Sequence, residues 1–225
     1  MPRASGVLLH PTSLPGRFGI GDLGAAASQF LDVLAESGQR LWQVLPLGPT
    51  GLGDSPYACF SAFAGNPLLI SLDRLAEDGL LSQDDLRDVP VFPERTVDYG
   101  RVIEWKDRRL YRAFVRFMAE ASPADRADWE GFCRANQSWL DDYALFMALK
   151  DAHGGAAWTT WPSDIATRQP DAIARWTEKL ADRVAFHRYA QYTFDRQWAA
   201  LKRYAHDYGI EIVGDIPIFV AHNSA

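Results

Sequence analysis

The sequence predicts an α/β fold built from parallel strands, on three observations. Short apolar runs at residues 6–10, 41–45 and 210–213 are each followed by turn residues, as buried strands are. Amphipathic helical patterns lie between the first two runs and directly before the third. A strand, a helix and a second strand joined by short links form a parallel pair with a right-handed crossover. Three strands fall short of the eight in a closed (β/α)8 barrel, so we expect the N-terminal part of a barrel, a fragment of a longer fold.

The two crossover helices have recognisable ends and apolar faces. The first is predicted to be capped by Asp22 and to end at Gly38, which suits a left-handed conformation. Its apolar side chains recur at helical spacing: Leu23, Ala26, Ala27, Phe30, Leu31 and Leu34. The second spans residues 186–208, ends at Gly209 and is expected to bury Phe186, Ala190, Phe194, Trp198, Leu201 and Tyr208.

A large helical insertion is predicted after the second strand. Residues 48–67 form a loop rich in Gly, Pro and Ser, and residues 71–180 show helical patterns without an obvious strand. In one of these helices, Ile103, Leu110, Phe114 and Phe117 should lie on one face. We therefore divide the chain into first barrel units with a long loop (residues 1–70), the helical insertion (71–183) and the resumed barrel (184–225).

The composition excludes several classes of protein. The net charge of −6 argues against a nucleic-acid partner, because such affinity needs clustered Lys and Arg. The first residues have no signal-peptide core and no run approaches eighteen apolar residues, so no membrane partner is expected. Cys59 and Cys133 lie outside any metal-ligand spacing and are expected to be reduced thiols in the cytoplasm. No metal and no cofactor are expected.

A glycine motif requires a choice between two roles. GIGDLG at residues 19–24 matches the G-x-G-x-x-G pattern that opens a helix in dinucleotide-binding folds. The preceding strand ends near Leu9, however, and a loop with two prolines separates it from the glycines. No acidic residue ends the next strand, where it would bind a ribose. We therefore expect these glycines to shape a loop.

Polar and aromatic residues follow the second strand. Asp54, Ser55 and Tyr57 offer a carboxylate, a hydroxyl and an aromatic face, the mixture with which proteins bind sugars. In parallel α/β folds, ligands meet the loops at the carboxyl ends of the strands. An ordinary turn, capped by Asp54 and with φ fixed by Pro56, explains the same residues. The residues alone leave both interpretations open.

Three further residues are candidates for a site. Asp215 ends the third strand at the same edge, where an acid is catalytic, holds a substrate hydroxyl or caps the next turn. His10 ends the first strand and either faces the same cavity or is a satisfied structural residue. Tyr99 is predicted in an exposed loop before a long helix, where it either stacks on a sugar or has no function.

Six segments taken together are more specific than any single motif. They are LLHPTSLP at residues 8–15, GIGDLG at 19–24, WQVLPLGP at 42–49, GDSPY at 53–57, FSAFAGNP at 60–67 and GDIPIFV at 214–220. In this order they resemble the amylomaltase family, also called disproportionating enzymes. The resemblance implies a (β/α)8 barrel of the α-amylase clan with helical insertions. It also implies a 4-α-glucanotransferase that acts on α-1,4-glucans, such as maltooligosaccharides and amylose, by a retaining double displacement.

The resemblance also assigns roles to individual residues. The family's catalytic carboxylates lie beyond residue 225, so no catalytic residue is expected in this chain and the chain alone should be inactive. Asp215 matches an aspartate that contacts the sugar beside the scissile bond, and Ser55 and Tyr57 match donor-site residues. Tyr99 matches one of two aromatics in a secondary glucan-binding groove. The other falls at Leu52, which offers no flat face, so weaker binding of long or cyclic glucans is predicted there.

Two alternative functions remain to be weighed. A hydrolase of the same clan differs only in whether water or a sugar accepts the glucosyl unit. A non-catalytic glucan-binding fragment would use the same loops without a catalytic carboxylate. The products formed from maltotriose separate these possibilities.

Overall fold

The computed structural model describes residues 3–217 and 221–225, in which three strands and eight helices alternate unevenly along the chain. The elements are β1 (Gly6–Leu8), α1 (Ala25–Glu36), β2 (Leu41–Gln43), α2 (Leu72–Glu77), α3 (Tyr99–Glu120), α4 (Pro123–Ala135), α5 (Gln137–Ala152), α6 (Ser163–Ala166), α7 (Pro170–Lys179), α8 (Ala181–Asp207) and β3 (Glu211–Val213). Seven of the helices lie between residues 71 and 208, where the sequence shows helical patterns.

The sheet is small and parallel, with strand order β1-β2-β3. Gly6 lies opposite Leu41, and Trp42 lies opposite Ile212. Strands β1 and β2 end two residues earlier than predicted, yet hydrogen bonding extends one residue past their ends. The amide of Leu9 donates to the carbonyl of Gln43 over 3.0 Å. The α/β class with a parallel sheet is therefore confirmed.

Helix α1 begins two residues later than the capping prediction implies. Gly24 occupies the N-cap, and the carboxylate of Asp22 accepts a hydrogen bond from the amide of Gly24 at 2.9 Å. Asp22 therefore orders the turn before the helix and does not cap its first turn. At the other end Gly38 adopts φ +70°, the left-handed conformation that ends the helix as predicted.

Helix α8 is the central helix of the molecule, packing against α1, α3, α4 and α5. It begins at Ala181 and not at residue 186, because the chain turns at Leu180 without a Gly or Pro to mark the break. The proposed division between residues 183 and 184 therefore falls inside α8. Of the side chains expected to be buried on this helix, Tyr208 at its C-cap is 47% exposed, so this prediction is wrong.

Two large apolar cores hold the sheet and the helices together. The main core lies between the sheet, α1, α3 and α8, and includes Trp42, Phe114 and Phe186. A second core joins α5, α6, α7 and the start of α8 around Leu149 and Trp161.

Candidate functional site

The loop after β2 and the residue after β3 meet at the carboxyl edge of the sheet. The hydroxyl of Tyr57 donates to Oδ2 of Asp215 over 2.6 Å, although 158 residues separate them in sequence. This acceptor raises the pKa of Tyr57, so the phenol keeps its proton. Tyr57 remains 41% exposed and Asp215 is half-buried. An aromatic face and a carboxylate are thus presented together at one accessible point.

The loop that carries Tyr57 is a narrow hairpin closed by backbone hydrogen bonds. The amide of Gly51 donates to the carbonyl of Ala58, and the amide of Phe60 donates to that of Pro49, each over 2.9 Å. At the tip, Ser55 Oγ accepts a hydrogen bond from the amide of Tyr57 at 3.3 Å. The structure therefore places Ser55 and Tyr57 side by side.

Asp54 shapes the tip of this hairpin. It adopts φ +54°, directly after Gly53 at φ +70°. Aspartate tolerates this left-handed conformation better than most residues. Asp54 is half-buried, and its amide donates to the carbonyl of Gly51 over 3.2 Å. These contacts favour the loop-shaping role over direct ligand binding.

His10 connects the exits of β1 and β2. It is 9% exposed, with Nε2 3.3 Å from the carbonyl oxygen of Pro46 and Nδ1 2.7 Å from Oγ1 of Thr12. Burial lowers the pKa of His10, which keeps the ring neutral. A neutral ring donates from Nε2 to Pro46 and accepts at Nδ1, so both nitrogens are occupied. These contacts support the structural interpretation of His10.

Tyr99 is not in an exposed loop, contrary to the prediction. It is the first residue of α3, is half-buried and packs against the small cluster of Ile20, Leu68 and Val102. With residues 12–20 and 92–97 it lines an open groove of about 1060 Å³. The side chain of Leu52 lies outside the described part of the chain, so its relation to Tyr99 stays a prediction.

The glycine motif lies where the backbone packs closely against neighbouring segments. A Cβ on Gly21 would lie 2.1 Å from the carbonyl oxygen of Pro11, and one on Gly24 would lie 2.5 Å from Oγ of Ser71. The amide of Gly24 is already taken by the carboxylate of Asp22, whose negative charge would repel a phosphate at the start of α1. The geometry supports the loop-shaping interpretation.

Sequence reasoning missed one residue that supports the site. Gln191 on α8 is 2% exposed, and both of its amide atoms bind the backbone of Gly65, at the foot of the hairpin. Charged residues, Arg188 and Asp195, lie within one helical turn of Gln191, so the sequence does not signal that it is buried. A glutamine that is buried requires partners for its amide.

The last described residues pack over the helical segment. Trp158 donates from Nε1 to the carbonyl of His222 over 2.7 Å, and the amide of Ala225 donates to the carbonyl of Phe60 over 2.8 Å. Residues 221–225 therefore lie beside the foot of the hairpin. Among the described side chains, no group of three or more His, Cys, Asp or Glu is arranged to hold a metal ion.

A parallel sheet with connecting helices and a polar, aromatic loop at the carboxyl ends of its strands is the arrangement of an α/β enzyme domain. The family model described as 4-alpha-glucanotransferase matches residues 9–225, and the chain belongs to this family.

Relatives in sequence and structure agree with this assignment. A 4-alpha-glucanotransferase from Thermus thermophilus is 53% identical over 225 residues, which cover 100% of this chain and 44% of the relative. One from Synechocystis sp. is 52% identical over 223 residues, covering 99% and 44%. The structure of an amylomaltase from Streptococcus agalactiae in complex with acarbose superposes with a TM-score of 0.93 at 42% identity, over 99% of this chain and 45% of that one. The chain thus spans less than half the length of these relatives.

Proposed function

We propose that this chain is the N-terminal part of a 4-α-glucanotransferase, which moves a segment of a 1,4-α-glucan to the 4-hydroxyl of an acceptor glucan or glucose. The observation that carries the proposal is the 2.6 Å contact between Tyr57 and Asp215 across the carboxyl edge of the sheet. The names of the relatives, and the acarbose bound to the Streptococcus agalactiae amylomaltase, support a sugar ligand at this position.

The contacts of Asp215 leave it able to bind a sugar. Its Oδ2 accepts from Tyr57, and its Oδ1 accepts from the amide of Ile216 over 2.8 Å. A carboxylate has about four acceptor positions, so roughly two remain for ring hydroxyls. The exposed ring of Tyr57 covers the C–H face of the same sugar, and Ser55 Oγ can still donate its own proton. These residues bind and orient the donor.

Bond cleavage is assigned to residues beyond 225. A retaining transferase needs a nucleophile and an acid/base carboxylate about 5–5.5 Å apart. We place both in the C-terminal part of the full-length protein, in line with the length of the relatives. Transfer to a sugar then requires that the covalent intermediate be shielded from water until the acceptor binds. Asp215 and Tyr57 contribute by holding the donor in place.

The finer architecture is part of the same proposal. Leu8 on β1 is 55% exposed, and Val213 and Ile216 at the end of β3 are 40% and 73% exposed. Apolar side chains at both edges of a three-stranded parallel sheet support its continuation into a (β/α)8 barrel. Residues 71–180 then form a helical insertion within the second barrel unit, between β2 and α8, and α8 is the second barrel helix, which leads into β3.

The products formed from maltotriose by the full-length protein test this proposal. Free glucose together with maltopentaose and longer chains means transfer, whereas glucose and maltose alone mean hydrolysis. Binding of maltooligosaccharides without any product would instead favour the glucan-binding alternative.

No helix among residues 3–217 and 221–225 is both long and apolar enough to cross a membrane. The cytoplasmic location stays a prediction.

Replacing Leu52 with tyrosine is expected to strengthen binding of long amylose to the full-length protein on the order of fivefold, which corresponds to about 1 kcal/mol for one added aromatic contact. The reason is that a flat ring at position 52 would complete a groove with Tyr99. The affinity is measured by titration with amylose of defined length. Leu52→Tyr combined with Tyr99→Ala is the control and should lose the gain. Unchanged affinity in Leu52→Tyr would refute the groove.

A further inference from the structure

Two buried glutamines on α8 make the same unusual contact. Gln191 accepts from the amide of Gly65 at 2.8 Å and donates to the carbonyl of Gly65 at 2.9 Å. Gln197 does the same with Ser71, at 2.7 Å and 3.1 Å. They are 2% and 6% exposed. Each side-chain amide therefore bonds both the N–H and the C=O of one backbone residue, as a neighbouring β-strand would. Both of these backbone residues lie in the segment that follows the hairpin.

The backbone at Gly65 depends on this contact. A Cβ there would lie 2.1 Å from the ring of Phe194, so the chain runs directly against α8. Water is excluded, and a buried amide or carbonyl without a partner is costly. The next amide, that of Asn66, donates to the carbonyl of Leu47 over 2.7 Å and ties the same point to the exit of β2. Gly65 and Asn66 together form the foot of the hairpin.

The foot of the hairpin determines where its tip lies. The hairpin between Pro49 and Phe60 is closed by cross-strand hydrogen bonds, so a displacement at its foot is carried to its tip. At that tip Tyr57 must reach Asp215, which belongs to a different strand. Reacting groups displaced by about 1 Å lose up to 100-fold in rate.

We propose that Gln191 is a positioning residue for the donor site, which holds the foot of the hairpin so that Tyr57 meets Asp215. The inference rests on the proposed function. Gln197 provides the contrast, because Ser71 is the N-cap of α2 and lies beyond the hairpin. The two glutamines share a helix, a degree of burial and a pattern of hydrogen bonds, but only Gln191 binds the foot of the hairpin.

The test compares Gln191→Met with Gln197→Met in the full-length protein. Both variants should lower the unfolding temperature by a similar amount. Only Gln191→Met should speed hydrogen exchange at the amides of Gly51, Ala58 and Phe60. It should lower kcat/KM for maltotriose by about tenfold or more, against less than about twofold for Gln197→Met.

A conservative variant adds a second measurement, the pH dependence of kcat/KM, which would not change if the role of Gln191 were purely structural. In Gln191→Glu, a protonated carboxyl can both accept from and donate to Gly65, whereas a carboxylate can only accept. The ratio of its kcat/KM to the wild-type value should therefore approach one at low pH and fall as pH rises. Gln191→Leu should show no such recovery.

Two results would overturn the inference. One is an equal loss of kcat/KM in Gln197→Met, and the other is unchanged hydrogen exchange of the hairpin in Gln191→Met. Absence of glucan transfer by the wild-type protein would instead refute the proposed function. The exchange measurement needs no activity, so the two failures are distinguishable.

Discussion

Replacing Asp215 with alanine is expected to lower kcat/KM for glucan transfer by the full-length protein by about 100-fold, or about 2.7 kcal/mol. The carboxylate lies beside Tyr57 and has acceptor positions left for sugar hydroxyls. A hydrogen bond to a charged group contributes about 1.5–3 kcal/mol, and the phenol of Tyr57 loses its acceptor as well. Initial rates with maltotriose, fitted for kcat and KM separately, measure the effect.

Two variants separate the role of Asp215 from general changes in charge or shape. Asp195→Ala removes a carboxylate from an exposed position on α8 that lines the same groove as Asp215, and should change kcat/KM by less than about twofold. Tyr57→Phe keeps the ring but not its hydroxyl and should cost about fivefold, the value of one ordinary hydrogen bond. A loss in Asp195→Ala as large as that in Asp215→Ala would contradict the assignment.

The meeting of Tyr57 with Asp215 shows how far the sequence could predict the site. Apolar runs and crossover helices were enough to predict a parallel sheet, and adjacent parallel strands end at the same edge. Residues far apart in sequence could therefore be expected at one place. What the pattern could not supply was the direct hydrogen bond, because it depends on the shape of the hairpin between residues 49 and 60.

Other features escaped prediction for physical reasons that can be named. Periodicity defines an apolar stripe but not which part of it a neighbouring element covers, so Tyr208 was wrongly expected to be buried. The break at Leu180 carries no Gly or Pro, so the start of α8 was predicted at residue 186 and not at Ala181. The partners of Gln191 and Lys106 are single backbone carbonyls and amides distant in sequence, which leave no local pattern.

Among the residues whose contacts could not be predicted from the sequence, Lys106 is expected to matter most for stability. Its side chain is fully buried on α3, with Nζ 2.7 Å from the carbonyl oxygen of Leu68 and 3.8 Å from Oδ2 of Asp22. Burial lowers the pKa of Lys106 and raises the pKa of Asp22, although each charge partly offsets the effect on the other. The pair joins α3 to the turn that precedes α1.

Lys106→Met is therefore expected to reduce the free energy of unfolding by about 3–5 kcal/mol, because Asp22 is left as a buried charge without a cationic partner. Chemical unfolding at pH 7 measures this. The pKa of Asp22 should rise further in the variant. A carboxyl whose folded-state pKa is raised makes the protein less stable as pH increases from the unfolded-state pKa to the folded-state pKa. The loss relative to wild type should therefore shrink as pH is lowered, and adding Asp22→Asn should recover part of it at pH 7.

Arg108→Met is the control on the same helix. Its partner Glu104 is 2.7 Å away, but the two side chains are 64% and 73% exposed, so its cost should stay below about 1 kcal/mol. An equal cost in both variants, or a cost of Lys106→Met that does not change with pH, would mean that packing and not the buried charge pair accounts for the role of Lys106.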